Sequence, residues 1–197
     1  MERPAPASGL TARQQERRDR ILDAALELAS EGGYEAVQMR DVAARASVAL
    51  GTLYRYFASK DHLLAAAWAR WAGQLGPRIM SRPLRGATMA EQATDFYHRA
   101  TRAFEREPRL ASAVLQAAVS TDASAAESQA EVSALVGRIV MSVMEGLDPV
   151  RAAGVRDVLN HVWYSSLLQW VGGRYPVGRV YESLQTAAHL LLDPPAA

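Results

Sequence analysis

A chain of 197 residues with a net charge of +1, 49% apolar residues and no cysteine has the length for one small domain and one larger one. The missing cysteines exclude disulfides, thiolate metal centres and cysteine nucleophiles. No apolar run approaches the roughly 20 residues of a membrane-spanning helix, so no membrane partner is expected. With charge so nearly balanced, any nucleic-acid contact has to rest on where basic residues stand rather than on a basic whole.

Residues 1–12, with Pro4, Pro6, Ser8 and Gly9, read as a disordered lead-in that lacks the basic region and apolar core of a secretory signal. From Arg13 to Ser30, Ile21, Leu22, Ala25, Leu26, Leu28 and Ala29 recur at helical spacing, and Gly32-Gly33 supplies the helix stop. Two short helices follow, Met39 to Ala46 and Ala49 to Phe57, joined by a tight turn. Val42, Ala43, Ala46, Val48, Leu53 and Phe57 are spaced to form a small core under them. This predicts a three-helix, helix-turn-helix domain over residues 13–58.

Ser59 is placed to cap a fourth helix, with Asp61 in its first turn. That helix is expected to reach about Gln74 and to end, or kink, at Gly76-Pro77. Later helices are expected over Thr88 to Arg106, Pro108 to Val119, Ala125 to Glu145, Pro149 to Gly172 and Val177 to Leu192, separated by proline- and glycine-containing breaks. No stretch alternates as a strand does. The fold class is all-α, with residues 59–197 forming a C-terminal helical ligand-binding and dimerisation domain.

In a helix-turn-helix the second short helix enters the major groove, so its early outward residues reach base edges. Here these include Gly51, Thr52, Tyr54 and Arg55, with Thr52 suited to a phosphate oxygen or a thymine methyl. Gln38 and Arg40, at the start of the preceding helix, are equipped to read adenine or guanine bidentately. Tyr56, Lys60, Arg17 and Arg18 are candidates for phosphate contacts, which position without specifying. The competing reading of Arg17 and Arg18 is a solvated helix face; Leu53 and Phe57 are read as core.

Within residues 18–64, Arg18 to Ala25, Glu31 to Val37, Met39 to Ala43, Gly51 to Phe57 and Ser59 to Leu64 together resemble the N-terminal domain of TetR-family repressors. Inside that family, Tyr34 to Arg40, Val48 to Phe57, Asp122 to Ala126 and Val162 to Trp170 are similar to the KstR-type repressors of sterol (cholesterol) catabolism in actinobacteria. The resemblance implies a cytoplasmic, nucleoid-associated bacterial homodimer on double-stranded palindromic operator DNA. It also implies a C-terminal pocket for a hydrophobic small-molecule inducer of the sterol-derived or acyl-CoA type. Two positions depart from the family pattern: Ala49 stands where many members cap the recognition helix with Ser or Thr, and Ser47 where glycine is common. Ser47 is the candidate substitute cap.

Two heads held at a set separation require dimerisation. The last two helices are the expected interface, through His161, Leu168, Tyr181, Leu184, Ala188 and Leu191, as half of a four-helix bundle. Trp68, Trp71, Phe96, Phe104, Met141, Met144, Trp163, Tyr164 and Leu167 are the candidate lining of an apolar pocket, on the understanding that many such residues only pack a core. Arg99, Arg102 and Arg106, three and four residues apart, read as a solvated face, with contact to an acidic ligand group as the alternative. The four histidines are scattered, and no catalytic or nucleotide-binding motif occurs, so neither catalysis nor a cofactor is expected. The reading is a ligand-responsive transcriptional repressor. The competing classes are a ligand-independent regulator or activator and a small helical enzyme.

Overall fold

The computed structural model describes residues 10–193, and among these it contains helices and no strand. The expected lead-in lies mostly outside the described residues. The first helix, α1 (Ala12–Ala36), is opened by a reciprocal cap: Thr11 Oγ1 accepts from Gln14 N–H, and Gln14 Oε1 accepts from Thr11 N–H at 2.8 Å. Gly33, at φ 71°, interrupts it where the glycine pair lies, and one further turn carries the chain to Ala36. The two short helices are α2 (Met39–Arg45) and α3 (Leu50–Tyr56). Seven-residue helices are not stable alone. They persist because Val42, Ala46, Leu53 and Phe57 are buried with Ile21, Leu22 and Ala25 of α1, and burying a side chain such as Phe57 contributes about 2 kcal/mol.

The fourth helix, α4 (Lys60–Met80), starts at Ser59, whose Oγ accepts the His62 N–H at 3.0 Å. It passes through Gly76-Pro77 and ends six residues later than the earlier of the two expected ends. Pro77 forfeits the bond to the carbonyl of Gly73, which lies on the exposed side where water can replace it. Then come α5 (Met89–Arg106), capped by Thr88 and Glu91, and α6 (Pro108–Ala118), with Pro108 in its first turn. A 3-10 turn, Ala123–Ala125, leads into α7 (Ala126–Val143). The last pair is α8 (Pro149–Val171), capped by Asp148, and α9 (Val177–Leu192).

Helix α1 packs on α6 and α4, α4 also on α7, and α5 on the α8–α9 pair, so α4 belongs to both halves of the molecule. Arg70 of α4 reinforces that join by reaching Asp23 at 2.7 Å and Asp19 at 3.1 Å on α1. Arg109 at the start of α6 donates to the Glu31 carbonyl of α1. At the centre of the larger half Tyr97 and Trp163 lie 5.4 Å apart, Phe104 and Trp163 5.9 Å, and Trp71 and Phe104 5.1 Å, as interlocking tilted rings.

Candidate DNA-reading head and ligand cavity

The α2–α3 turn rests on Ser47, which adopts φ 54°, a left-handed conformation that costs a non-glycine residue about 1 kcal/mol. Its N–H and that of Val48 bond to Ala44 O and Ala43 O at 3.1 and 2.9 Å. Ser47 therefore shapes the turn and does not supply the cap expected of it. The N-cap of α3 is Ala49, and no side chain caps that helix end.

On the exposed side of this unit stand Arg40, Gly51 and Arg55, with Tyr54 50% and Leu50 39% exposed. A Cβ on Gly51 would meet nothing within 4 Å, so the surface there is open to a close-fitting partner. Thr52 and Tyr56 are half-buried, and the Arg55 guanidinium lies 6.0 Å from the Tyr56 ring centre. Three other candidates have partners inside the protein. Gln38 Nε2 donates to Glu35 O at 2.9 Å, Lys60 Nζ sits 3.7 Å from the Tyr34 ring centre, and Arg18 lies over Phe57 at 5.6 Å. Burial also lowers the Lys60 pKa. Arg17 is half-buried beside Arg18.

In the larger half, a cavity of about 900 Å3 is bounded by α4 through α8. Trp68, Phe104, Met141, Trp163, Tyr164 and Leu167 line it as expected from the sequence. Trp71, Phe96 and Met144 do not. Phe96 and Met144, each 2% exposed, fill the core, and Trp71 packs on Phe104 without reaching the cavity. Helical periodicity reports which face is buried, but not which buried face borders empty space.

The sequence reading missed the polar part of the wall, where Gln129, Arg138, Arg156, Asp157 and Asn160 interrupt the apolar lining. Arg156 is steered by Asp157, 2.9 Å from its Nε, and lies against Gly137, where a Cβ would crowd its Cδ at 3.3 Å. Asn160 Oδ1 accepts from Tyr97 OH at 2.7 Å, and Trp163 Nε1 donates to Thr101 Oγ1 at 2.9 Å, which fixes two wall positions. Burial pushes the Tyr97 hydroxyl far up and that of Tyr164 to about 12, so both remain protonated donors.

The interface candidates divide. Leu184 and Ala188 are fully buried in the core that α9 shares with α5 and α8, so this stripe builds the protomer and cannot meet a second copy. Tyr181 donates to Glu105 Oε2 at 2.9 Å and meets His98 edge-on at 4.7 Å. His161 lines the cavity, while Leu168 and Leu191 are half-buried. The large apolar side chains that α8 and α9 do expose are Val150 at 81%, Val158 at 44% and Leu190 at 79%. No other histidine joins a cluster: His62 Nδ1 accepts from Ala58 N–H at 3.2 Å, and His189 meets Asp193 at 2.7 Å.

A polar chain absent from the sequence reading links head and cavity. Tyr34 OH donates to Asp61 Oδ1 at 2.6 Å, and Ser120 Oγ donates to Asp61 Oδ2 at 2.5 Å. Ser59 Oγ donates to Asp122 beside it, and the bonds from Ser124 and Ser59 lower the Asp122 carboxyl to about 2. Gln129, on the cavity wall, donates to Ala117 O at 2.9 Å and Ser120 O at 3.3 Å. A wall residue thus holds the connector that holds α4, and α4 holds the head.

A three-helix reader with an exposed recognition helix, set on a helical body with an apolar cavity that opens to the surface, defines a helix-turn-helix regulator. The sequence model for bacterial regulatory proteins of the tetR family matches residues 21–67, and that for the tetracyclin repressor-like C-terminal domain matches residues 86–191. The chain belongs to the TetR family and is a DNA-binding transcriptional repressor.

It is 43% identical over 180 residues to the HTH-type transcriptional repressor KstR of Rhodococcus jostii, covering 91% of this chain and 84% of that one. It is 41% identical, over 91% and 82%, to the KstR of Mycobacterium tuberculosis. The crystal structure of a TetR transcriptional regulator from Rhodococcus sp. RHA1 superposes with a TM-score of 0.83 at 28% identity, covering 93% of this chain and all of that one. FadR of Thermus thermophilus, solved in complex with lauroyl-CoA, shares the fold at a TM-score of 0.69 and 21% identity, over 91% and 98% of the two chains.

Proposed function

We propose that this repressor is a homodimer that places the α3 of each protomer in successive major grooves of a palindromic operator and leaves the DNA when a hydrophobic metabolite fills the cavity. Arg40, Gly51, Thr52, Tyr54 and Arg55 meet the bases and nearby backbone; Tyr56, Arg17, Arg18 and Lys60 meet phosphates, and Gln38 steadies the start of α2. The apolar surface at Val150, Val158 and Leu190, with the half-buried Leu168, supports an α8–α9 face as the seam between protomers. The cytoplasm, at the nucleoid, is the working compartment of this reading.

The observation that carries ligand response is the route from Gln129 on the cavity wall, through Ser120, to Asp61 and Tyr34. A ligand that displaces α7 pulls on this route and rotates α4 with the head. Ligand and operator then favour different separations of the heads, and each weakens the other by the same coupling free energy, on the order of 1–3 kcal/mol. A cavity of about 900 Å3 with an apolar floor and Arg138 and Arg156 on its wall suits a sterol-derived or acyl-CoA-type molecule. It also speaks against a regulator with no ligand at all. The test is fluorescence anisotropy of the protein on a labelled duplex from upstream of its own gene, titrated with a sterol-derived CoA thioester. Loss of binding on addition is the expected result. Persistent binding with every sterol and acyl-CoA thioester would remove that inducer class, and failure to bind at physiological salt would remove the operator assignment.

A further inference from the structure

A second cleft, of about 540 Å3, opens between the C-terminal end of α4, the connector after it and one face of α5. Its walls carry Arg78, Arg82, Arg85, Arg99, Arg102 and Arg106 and a single carboxylate, Asp95. The whole chain has 22 basic and 21 acidic residues, so six arginines around one acid is a local concentration and not the background of a basic protein.

Asp95 is already spent on building the cleft. It accepts from Arg99 Nη2 at 2.5 Å and from the Arg85 N–H at 2.8 Å. Arg99 in turn donates to Ile79 O at 3.0 Å, Arg82 O at 2.9 Å and Pro83 O at 2.7 Å. These bonds fasten the end of α4 and its connector to α5, with Arg78, Arg82 and Arg85 on one wall and Arg102 and Arg106 on the other. All five are exposed, and none forms an ion pair among the described residues. The negative end of the α4 dipole accounts for one cation there, Arg78, but not for five.

Five guanidiniums around one cleft repel one another and focus a positive potential into it. The bonds that tie the two walls come from Arg99 and Asp95, not from these five. A lone carboxylate ligand would leave most of that charge unanswered, whereas a molecule with several phosphates sums one charge from each bridging phosphate and nearly two from each terminal one, and its oxygens match the guanidinium fork. Operator phosphates are not the source: Arg78 stands 18 residues along α4 from Lys60, roughly 27 Å at the helical rise. We propose that this cleft binds a small, multiply phosphorylated ligand, with Arg78, Arg82, Arg102 and Arg106 holding its phosphates. Two sources share that chemistry: the nucleotide end of a thioester whose acyl part fills the apolar cavity, which rests on the inducer reading above, and a free phosphorylated effector, which does not.

The experiment is isothermal titration calorimetry of the full chain with pyrophosphate, ATP and coenzyme A, beside the Arg78→Gln/Arg102→Gln/Arg106→Gln variant and the milder Arg106→Gln. Circular dichroism and operator anisotropy are run on the same preparations. At least one probe should bind the wild type and lose roughly tenfold or more in the triple variant, with a smaller loss in Arg106→Gln. Coenzyme A binding more tightly than the other two assigns the nucleotide end of a thioester; equal or tighter pyrophosphate or ATP binding assigns a free effector. The proposal is overturned by wild type that binds none of the three, or by folded variants that bind as the wild type does. It is also overturned if the triple variant loses affinity for a duplex of unrelated sequence, which would make the cleft a nucleic-acid surface. Operator binding that fails in wild type and variants alike counts against the repressor reading and leaves the cleft's own result standing.

Discussion

Tyr54 has half its surface in water and no side-chain hydrogen-bond partner among the described residues, so its hydroxyl end is free for an outside partner. Tyr54→Ala should therefore leave thermal stability within about 0.5 kcal/mol while weakening the operator by roughly 1–3 kcal/mol, read by anisotropy against a duplex of unrelated sequence. An equal loss on both duplexes would make Tyr54 a phosphate contact. His62 and His98 are held neutral: burial is the main cause that lowers both pKa values below the usual 6.5, and His62 Nδ1 accepts the Ala58 N–H in the link between α3 and α4. Because the folded pKa lies below the unfolded one, the unfolded chain binds protons first as pH falls. The stability from these residues is fully present above about pH 6.5 and is lost as pH drops through their lowered folded values. Melting temperatures should thus fall between pH 7.5 and 5.5, and His62→Gln should flatten part of that slope; a slope unchanged in the variant would place the titration elsewhere. The exposure of Gly51, Tyr54 and Arg55 on α3 follows from spacing, since a helix of known start and core face has its outer face determined, whereas Thr52, expected to face outward, is half-buried. The partners of Lys60, Arg18 and Gln38 were not, because each is reached by a side chain whose path depends on neighbouring elements.

At the scale of elements, Ser59 caps α4 as expected; Thr88 and Asp148, not named as caps in the sequence reading, cap α5 and α8, and Gly33, expected to stop α1, bends it instead. Gly33→Ala forces a Cβ into φ 71° and should cost about 1 kcal/mol or more of folding free energy, seen as a lower melting temperature. The sequence marks Gly76-Pro77 as a helix end or a kink, and α4 runs through it, since helix packing on α7 outweighs one bond replaced by water. That continuity gives α4 its reach from head to cavity. Ser120→Ala removes the body-side donor to Asp61 but leaves Tyr34 bound to it. Operator affinity without ligand should stay within about threefold, while the release caused by a thioester active on the wild type shrinks by roughly 1 kcal/mol in coupling. Undiminished release in Ser120→Ala would move the route elsewhere, to the Arg70 and Arg109 joins between α1 and the body.

At the scale of the whole molecule, the proposed function rests on dimerisation and on the cavity. Val158→Glu puts a charge on exposed apolar surface of α8 at no cost to the protomer's core, so sedimentation should show a shift from dimer toward monomer and the operator affinity should fall with it. Ala118→Phe, in the half-buried cavity wall, should fill part of the space and abolish stabilisation by thioesters while sparing operator binding. The sequence by itself determined the all-α class, the positions of the helices, the helix-turn-helix and its outward face. These depend on local propensity, caps and periodicity, which act over one helical turn or across a short loop. Only the tertiary structure decided that Trp71, Phe96 and Met144 pack the core while Trp68 and Trp163 border a cavity. It also decided that Leu184 and Ala188 serve the protomer, and that arginines of α4 and α5 face each other across a cleft. Each of these outcomes depends on which helix lies beside which and at what distance. That is set by the sum of side-chain volumes over the entire core, a quantity that no single stretch of sequence carries.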